Sequence, residues 1–457
     1  MDRRTKHGTP ATCLWGFPGA TSPRGAGGRA RPAATAGNAP VRHNRVISTR
    51  TRRRQVKRIC VGFALALALA LVAGPSRAAD GSGDLRLYWK DGIRAETGDG
   101  SVRLKIGGRI MNDWAFYSAD DSLKAAVGAF EDGTEFRRAR LYLAGEIYGN
   151  VIFKAQYDFA GGDADFKDVY VGLKRLPGHT TIRAGHFKEP FGLEVVTSSK
   201  YITFMERALP VALAAERNTG IGVSGHCFDE RVTWAGGLFR ETDGFGDAKG
   251  DAYNVTGRVT GLPLYQDGGE RLVHLGFAYS HRNPDNTVRF RERPESHLAP
   301  RLVDTGSIAA DAVDLFGAEA AVVLGSASLQ GEYIHAAVDA SSGSSPDFAG
   351  YYVQASYFLT GERRPYKRSH GAFGRVKPRR NFLGKEGSGP GAVELAVRYS
   401  SLDLSDAGVA GGKLDDVTAG VNWYLNPNTR VMANYVHADR ASAGEADVFQ
   451  MRFQIDF

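Results

Sequence analysis

Basic side chains recur at even spacing in several stretches: Lys105 and Arg109 in "LKIGGR", Arg138 and Arg140 in "FRRARL", and Arg289, Arg291 and Arg293 in "VRFRERPE". In an extended chain residues two apart share a face, so each set aims its charges one way. Such a row can hold anions. The arginine fork makes paired hydrogen bonds to an oxyanion, and fixed cations lining a narrow pore lower the barrier to anion entry. Covalent or acid–base chemistry has no comparable constellation. His179, His186, His226 and His335 are scattered, and no Ser/His/Asp order, paired-cysteine site or phosphate-cradling glycine loop stands in context. His226 and Cys227 are adjacent, but neighbours on a strand point to opposite faces, which argues against a shared metal. No catalytic residue, metal ligand or cofactor is expected, and a hydrolase is a distant alternative.

Charges in such rows need strands to carry them. In "LYLAGEIYGNVIFKAQYDF", Leu141, Leu143, Gly145 and Ile147 alternate with Tyr142, Ala144 and Glu146. After Gly149-Asn150, Val151, Phe153, Ala155, Tyr157 and Phe159 alternate with Ile152, Lys154, Gln156 and Asp158. Period-two patterning predicts half-buried strands in a hairpin. It recurs over 102–116, 393–400, 417–425 and 449–457, in segments of about 9–11 residues that would cross a bilayer's apolar slab. Tight turns at "YGN", "RLPGH" and "NPN" alternate with long polar connections after Tyr117 and Phe187. That asymmetry predicts an all-β protein, a transmembrane antiparallel barrel whose closure leaves no unpaired edge in lipid. A secreted β-sandwich would alternate too, but the faces opposite the apolar rows carry Arg, Lys, Glu and Gln in register, as a water-filled lumen requires. On this pattern Lys105, Arg109, Arg138 and Arg140 face the lumen. Arg137 falls on the row of Leu141 and Leu143, where a mid-membrane position costs ~2–4 kcal/mol, so it is expected at the strand's outer end. The arginines of 289–293 either point together into the pore or form a solvated loop face.

The head of the chain reads differently. Arg52, Arg53, Arg54, Lys57 and Arg58 precede the apolar run "CVGFALALALALVA" and then "GPSRAAD", the layout of a signal peptide over 56–78 cut after Ala78. Residues 1–55 are a disordered extension or lie upstream of the true translation start, and 79–101 form a periplasmic segment before a barrel over 102–457. Residues 1–78 hold 15 of the 58 Lys and Arg and one of the 50 Asp and Glu, so the remainder carries 43 basic against 49 acidic residues. A nucleic-acid partner loses its support. Cys227 is the one cysteine beyond the signal, which leaves no internal disulfide framework.

Several collinear stretches resemble the porin O and P family, the phosphate-selective outer-membrane porins: "LKIGGR", "FRRARL", "GHFKEPFGLE", "TSSKYITFMER", "GYYVQASYFLTGE" and "GVNWYLNPN". The resemblance implies a barrel of about sixteen strands, assembled as a homotrimer with one pore per subunit, in the outer membrane of a Gram-negative bacterium. It implies passive diffusion of small anions, phosphate or related oxyanions; a structural or adhesive barrel is the alternative. It places Arg109, Arg137, Arg138, Arg289, Arg291 and Arg293 in a ladder of lumen arginines and Arg207 at the constriction. The position of Arg207 inside the long connection after Phe187 agrees, because porins narrow their pores with an infolded loop. Two positions depart from the family pattern: Val195 stands where a constriction lysine is expected, and Lys167, followed by Asp168, where an aspartate is. Partners implied are outer-membrane lipid and, through the aromatic C-terminal Phe457, the barrel assembly machinery.

Overall fold

The computed structural model describes residues 84–241, 250, 252–384 and 388–457, so the expectations for residues 1–83 lie outside the described residues. Sixteen strands form the wall: β1 (Val102–Ala119), β2 (Gly133–Ile147), β3 (Val151–Asp158), β4 (Asp165–Leu176), β5 (Thr180–Lys188), β6 (Arg217–Cys227), β7 (Val232–Arg240) and β8 (Asn254–Gln266). They continue with β9 (Arg271–Arg282), β10 (Ile308–Leu324), β11 (Ala327–Ala340), β12 (Asp347–Phe358), β13 (Ala392–Asp406), β14 (Val409–Asn426), β15 (Thr429–Arg440) and β16 (Gly444–Asp456). Each pairs antiparallel with its neighbours, and β16 pairs with β1 from Ala446↔Ala119 to Asp456↔Arg109, which closes the barrel. Closure satisfies every strand edge within the protein, the condition lipid imposes. Strands run from 8 to 18 residues, longer than the expected spans. An 18-residue strand rises about 60 Å, twice the ~30 Å apolar slab, so its end stands clear of lipid.

The alternation appears as two faces. Ile110, Trp114 and Phe116 are exposed on the outside of β1, while Arg109, Met111 and Asp113 are buried inside. The glycines of "LKIGGR" serve the seam. A Cβ on Gly107 would lie 2.5 Å from the Phe457 carbonyl oxygen, and one on Gly108 2.8 Å from its ring. Their absence lets Gly108 and Phe457 exchange backbone hydrogen bonds, N–H to O, at 2.8 and 3.2 Å. A short hairpin, Leu85–Trp89 with Ile93–Thr97, extends the sheet beyond β1 through the register Ile93↔Ile106 to Glu96↔Arg103.

Connections on the side of the chain's last residue are tight, with one exception. The connection 359–391, between β12 and β13, turns back into the mouth over its residues 359–384, where the Gly371 carbonyl accepts from Arg258 Nη2 at 2.8 Å. The simple rule of tight turns on one side and long loops on the other therefore fails here. Alternation marks strands, and it carries no signal for a turn that folds inward.

Candidate functional site: a cationic passage

Residues 189–216, between β5 and β6, fold into the lumen. Phe191, Leu209 and Leu213 are fully buried and pack on Ala278, Leu315, Ile334, Phe348 and Leu402 of the wall, an apolar patch inside an otherwise polar barrel. Polar anchors fix the rest of this inner loop. The Glu332 carboxylate accepts the N–H groups of Leu193 and Glu194, each at 2.7 Å. Arg398 Nη2 donates to the Glu206 carbonyl at 3.1 Å, Arg430 Nη1 to the Ile202 carbonyl at 2.9 Å, and Arg452 Nη1 to the Met205 carbonyl. Lys200 Nζ pairs with Asp456 at 3.0 Å. These anchors sit on β11, β13, β15 and β16, so the loop leans against that half of the wall. The passage stays open along β1 to β8.

A cavity of about 850 Å³ marks that passage, and its lining is unbalanced in charge: eight arginines and five lysines face three acidic residues. Two β-bulges add to the excess. In β2, Arg138 pairs with Met111 and Phe136 with Asn112, so Arg137 is the extra residue. A bulge breaks alternation; Phe136 stays exposed outside while Arg137 and Arg138 both reach inward to Glu206, at 2.9 and 3.5 Å. Arg137 thus avoids lipid by a register shift, which corrects its assignment to the row of Leu141 and Leu143. In β4 the register slips between Val169 and Phe166, opposite Ala155 and Tyr157, and Lys167 and Asp168 both line the passage.

Within the passage the charges differ in how far they are engaged. Glu206 receives both Arg137 and Arg452, Asp168 receives Lys154 at 2.6 Å and Arg217 at 2.8 Å, and Arg140 donates to Asp158 at 2.6 Å. Among the described residues Arg109 has no such carboxylate: its Nη1 donates to Ser199 Oγ at 2.6 Å, and its buried Nε finds no partner there. Arg207 lines the passage and donates to the carbonyls of Glu194, Val195 and Thr197 at 3.0, 3.4 and 3.3 Å. Its neighbour Glu206 is committed elsewhere, so the two do not pair. The Val195 side chain is buried, and Lys188 instead brings an ammonium to the Val195 and Thr197 carbonyls.

Of the residues singled out by sequence, Arg109, Arg137, Arg138, Arg140, Lys167 and Arg207 converge on one cavity. Lys105 lies outside its lining, with its ammonium 5.6 Å from the centre of the Tyr142 ring. Arg289, Arg291 and Arg293 lie in the connection 283–307 and do not line it either. Arg289 forms a two-point pair with Asp304 that holds this carboxyl below its usual range, the Arg291 carbonyl accepts from Arg301, and Arg293 donates to the His297 and Ala299 carbonyls. Sequence reasoning passed over Lys154, Lys174, Arg183, Lys188, Arg217, Arg258 and Lys367. Lys154 sat in the polar row of the β2–β3 hairpin, which was signal enough; the others needed the barrel's curvature to bring them together.

A closed sixteen-stranded barrel with an infolded loop and a water-accessible charged passage defines the class of outer-membrane porins. The comparisons narrow it: the family model "Phosphate-selective porin O and P" matches residues 104–457, and the chain belongs to that family. It is 29% identical over 428 residues to Porin O of Pseudomonas aeruginosa, covering 83% of this chain and 92% of the relative. An uncharacterized protein of Caulobacter vibrioides is 31% identical over 412 residues, covering 84% and 80%. Among solved structures, the anion-selective porin from Comamonas acidovorans superposes with a TM-score of 0.51 at 15% identity, over 78% of this chain and all of that one. The outer membrane channel DcaP of Acinetobacter baumannii gives 0.50 at 10% identity, over 79% and 99%. The protein is therefore a porin of the Gram-negative outer membrane. Its relatives are channels rather than enzymes.

Proposed function

We propose that this porin admits small anions by passive diffusion, with inorganic phosphate or a related oxyanion held in transit. The observation that carries the reading is the lining itself, thirteen basic side chains against three acidic ones, in a passage set off from the rest of the lumen by the inner loop. In such a confined space a fixed positive excess attracts anions and repels cations. Arg109, Lys167 and Arg207 are the residues proposed to meet the ion. Arg109 supports an oxyanion best, since its guanidinium lines the cavity beside the Ser199 hydroxyl and no carboxylate among the described residues pairs with it. The Porin O relative and the family description agree with phosphate, while Val195 shifts the cationic contribution to Lys188. The proposal includes assembly as a homotrimer, recognition of Phe457 by the barrel assembly machinery, and removal of residues 56–78 on export. The direct test is chloride current through single channels in a planar bilayer as phosphate is added. Bound phosphate should occupy the passage and lower the chloride current at millimolar or lower concentration; a current that phosphate leaves unchanged overturns the oxyanion assignment.

A further inference from the structure

At the tight-turn end of the passage three histidines come together from separate elements. His179 ends the β4–β5 turn, His226 stands near the end of β6, and His370 belongs to the infolded connection 359–391; all three line the cavity. The His179 and His226 rings are stacked, their centres 4.7 Å apart and their planes 16° from parallel. Beside them Arg183 of β5 sits over the rings of Tyr170 and Phe187, at 5.6 and 5.5 Å, and reaches Ser224 Oγ at 3.4 Å. Among the described residues no carboxylate pairs with Arg183. We propose that His179, His226 and His370, together with Arg183, form a second anion station at this mouth, one whose charge is set by protons.

The station rests on the anion-pore reading and adds a residue set that the constriction does not use. Imidazole is the side chain that changes charge between about pH 5 and 8. Stacked imidazolium rings repel one another, and an anion alongside them relieves that repulsion. Protonation and anion binding therefore strengthen each other by the same factor. The charges facing the cluster set its starting point. Burial first, then Lys367 and Arg183, hold the His370 pKa below its ordinary value, and Glu230 opposes them. Arg368, on the same connection, is engaged by Asp229 and Glu230, and Lys174 of β4 by Glu146. Arg183 and Lys367 are the fixed charges left to hold an anion when the imidazoles are neutral, and each imidazole that takes up a proton adds one more.

Chloride is the probe, because phosphate itself titrates in this range. The chloride-to-potassium permeability ratio, read from zero-current potentials in a KCl gradient, should rise about threefold between about pH 8 and pH 5.5, a window above most carboxylate titration. The triple variant His179→Gln/His226→Gln/His370→Gln should keep the ratio at pH 8 and lose the rise. His370→Gln alone, in a connection outside the wall, should lose part of it, which provides a test if the triple variant fails to assemble. A flat wild-type ratio overturns the station while leaving the porin anion-selective, as does a triple variant that keeps the full rise. Cation selectivity at pH 8 defeats the anion-pore reading and the station with it.

Discussion

Arg137 and Arg207 show how far a single residue's chemistry depends on its setting. Alternation gives Arg137 a face, and the bulge at that position reverses it, because the extra residue moves Arg137 onto the lumen side with Arg138. A bulge leaves no mark in one sequence, so this part of the site was illegible, whereas the inward facing of Arg109, Arg138 and Arg140 followed directly from period two. Arg207 was legible through the resemblance and through its place in a long connection. Beyond the ion contact proposed for it, Arg207 clasps three loop carbonyls. Arg207→Ala should weaken phosphate block about ten- to a hundredfold, the loss of a hydrogen bond to a charged partner, and should make the open current noisier as the loop loosens. Dose–response curves of block on the variant check it; unchanged block places the ion elsewhere.

At the level of elements, the inner loop decides where the passage runs, and its anchors explain why. Arg452 is fully buried and bridges three partners: Asp113 on β1, Glu206 and the Met205 carbonyl on the loop. Removing one member of a buried charge network strands the others. Arg452→Met should therefore destabilise the folded barrel by about 3 kcal/mol and enlarge single-channel conductance as the loop detaches; heat-dependent gel mobility and conductance report the two effects. A variant with wild-type conductance and thermal resistance would show that the apolar patch of Phe191, Leu209 and Leu213 suffices. Two of the strands that carry these anchors were readable in the runs 393–400 and 449–457, where Arg398 and Arg452 take polar alternate positions, while those of Glu332 and Arg430 were not picked out. The anchors' task was not readable, because a strand pattern says which face a side chain takes and nothing of which loop will meet it there. The infolded connection 359–391 escaped notice for the same reason.

On the scale of the whole molecule, charge and closure tell different stories from their parts. Residues 79–457 carry more acidic than basic groups, yet the passage is strongly positive. Selectivity belongs to the placement of charge, so total composition served only to exclude a nucleic-acid partner. Closure depends on the end of the chain. Phe457 lies against Gly107 and Gly108, and its backbone bonds to Gly108 extend the β16–β1 seam. Deleting Phe457 should sharply reduce the amount of heat-resistant folded barrel recovered from the outer membrane, without altering the selectivity of the channels that do form; undiminished assembly would relegate Phe457 to one more aromatic at the seam. The central claim, that the cationic passage governs what crosses, is tested most directly by the zero-current potential of the purified porin across a KCl gradient at neutral pH. An anion-admitting passage predicts that the dilute compartment becomes negative as chloride crosses faster than potassium. A potential of zero, or a dilute side that turns positive, would contradict it.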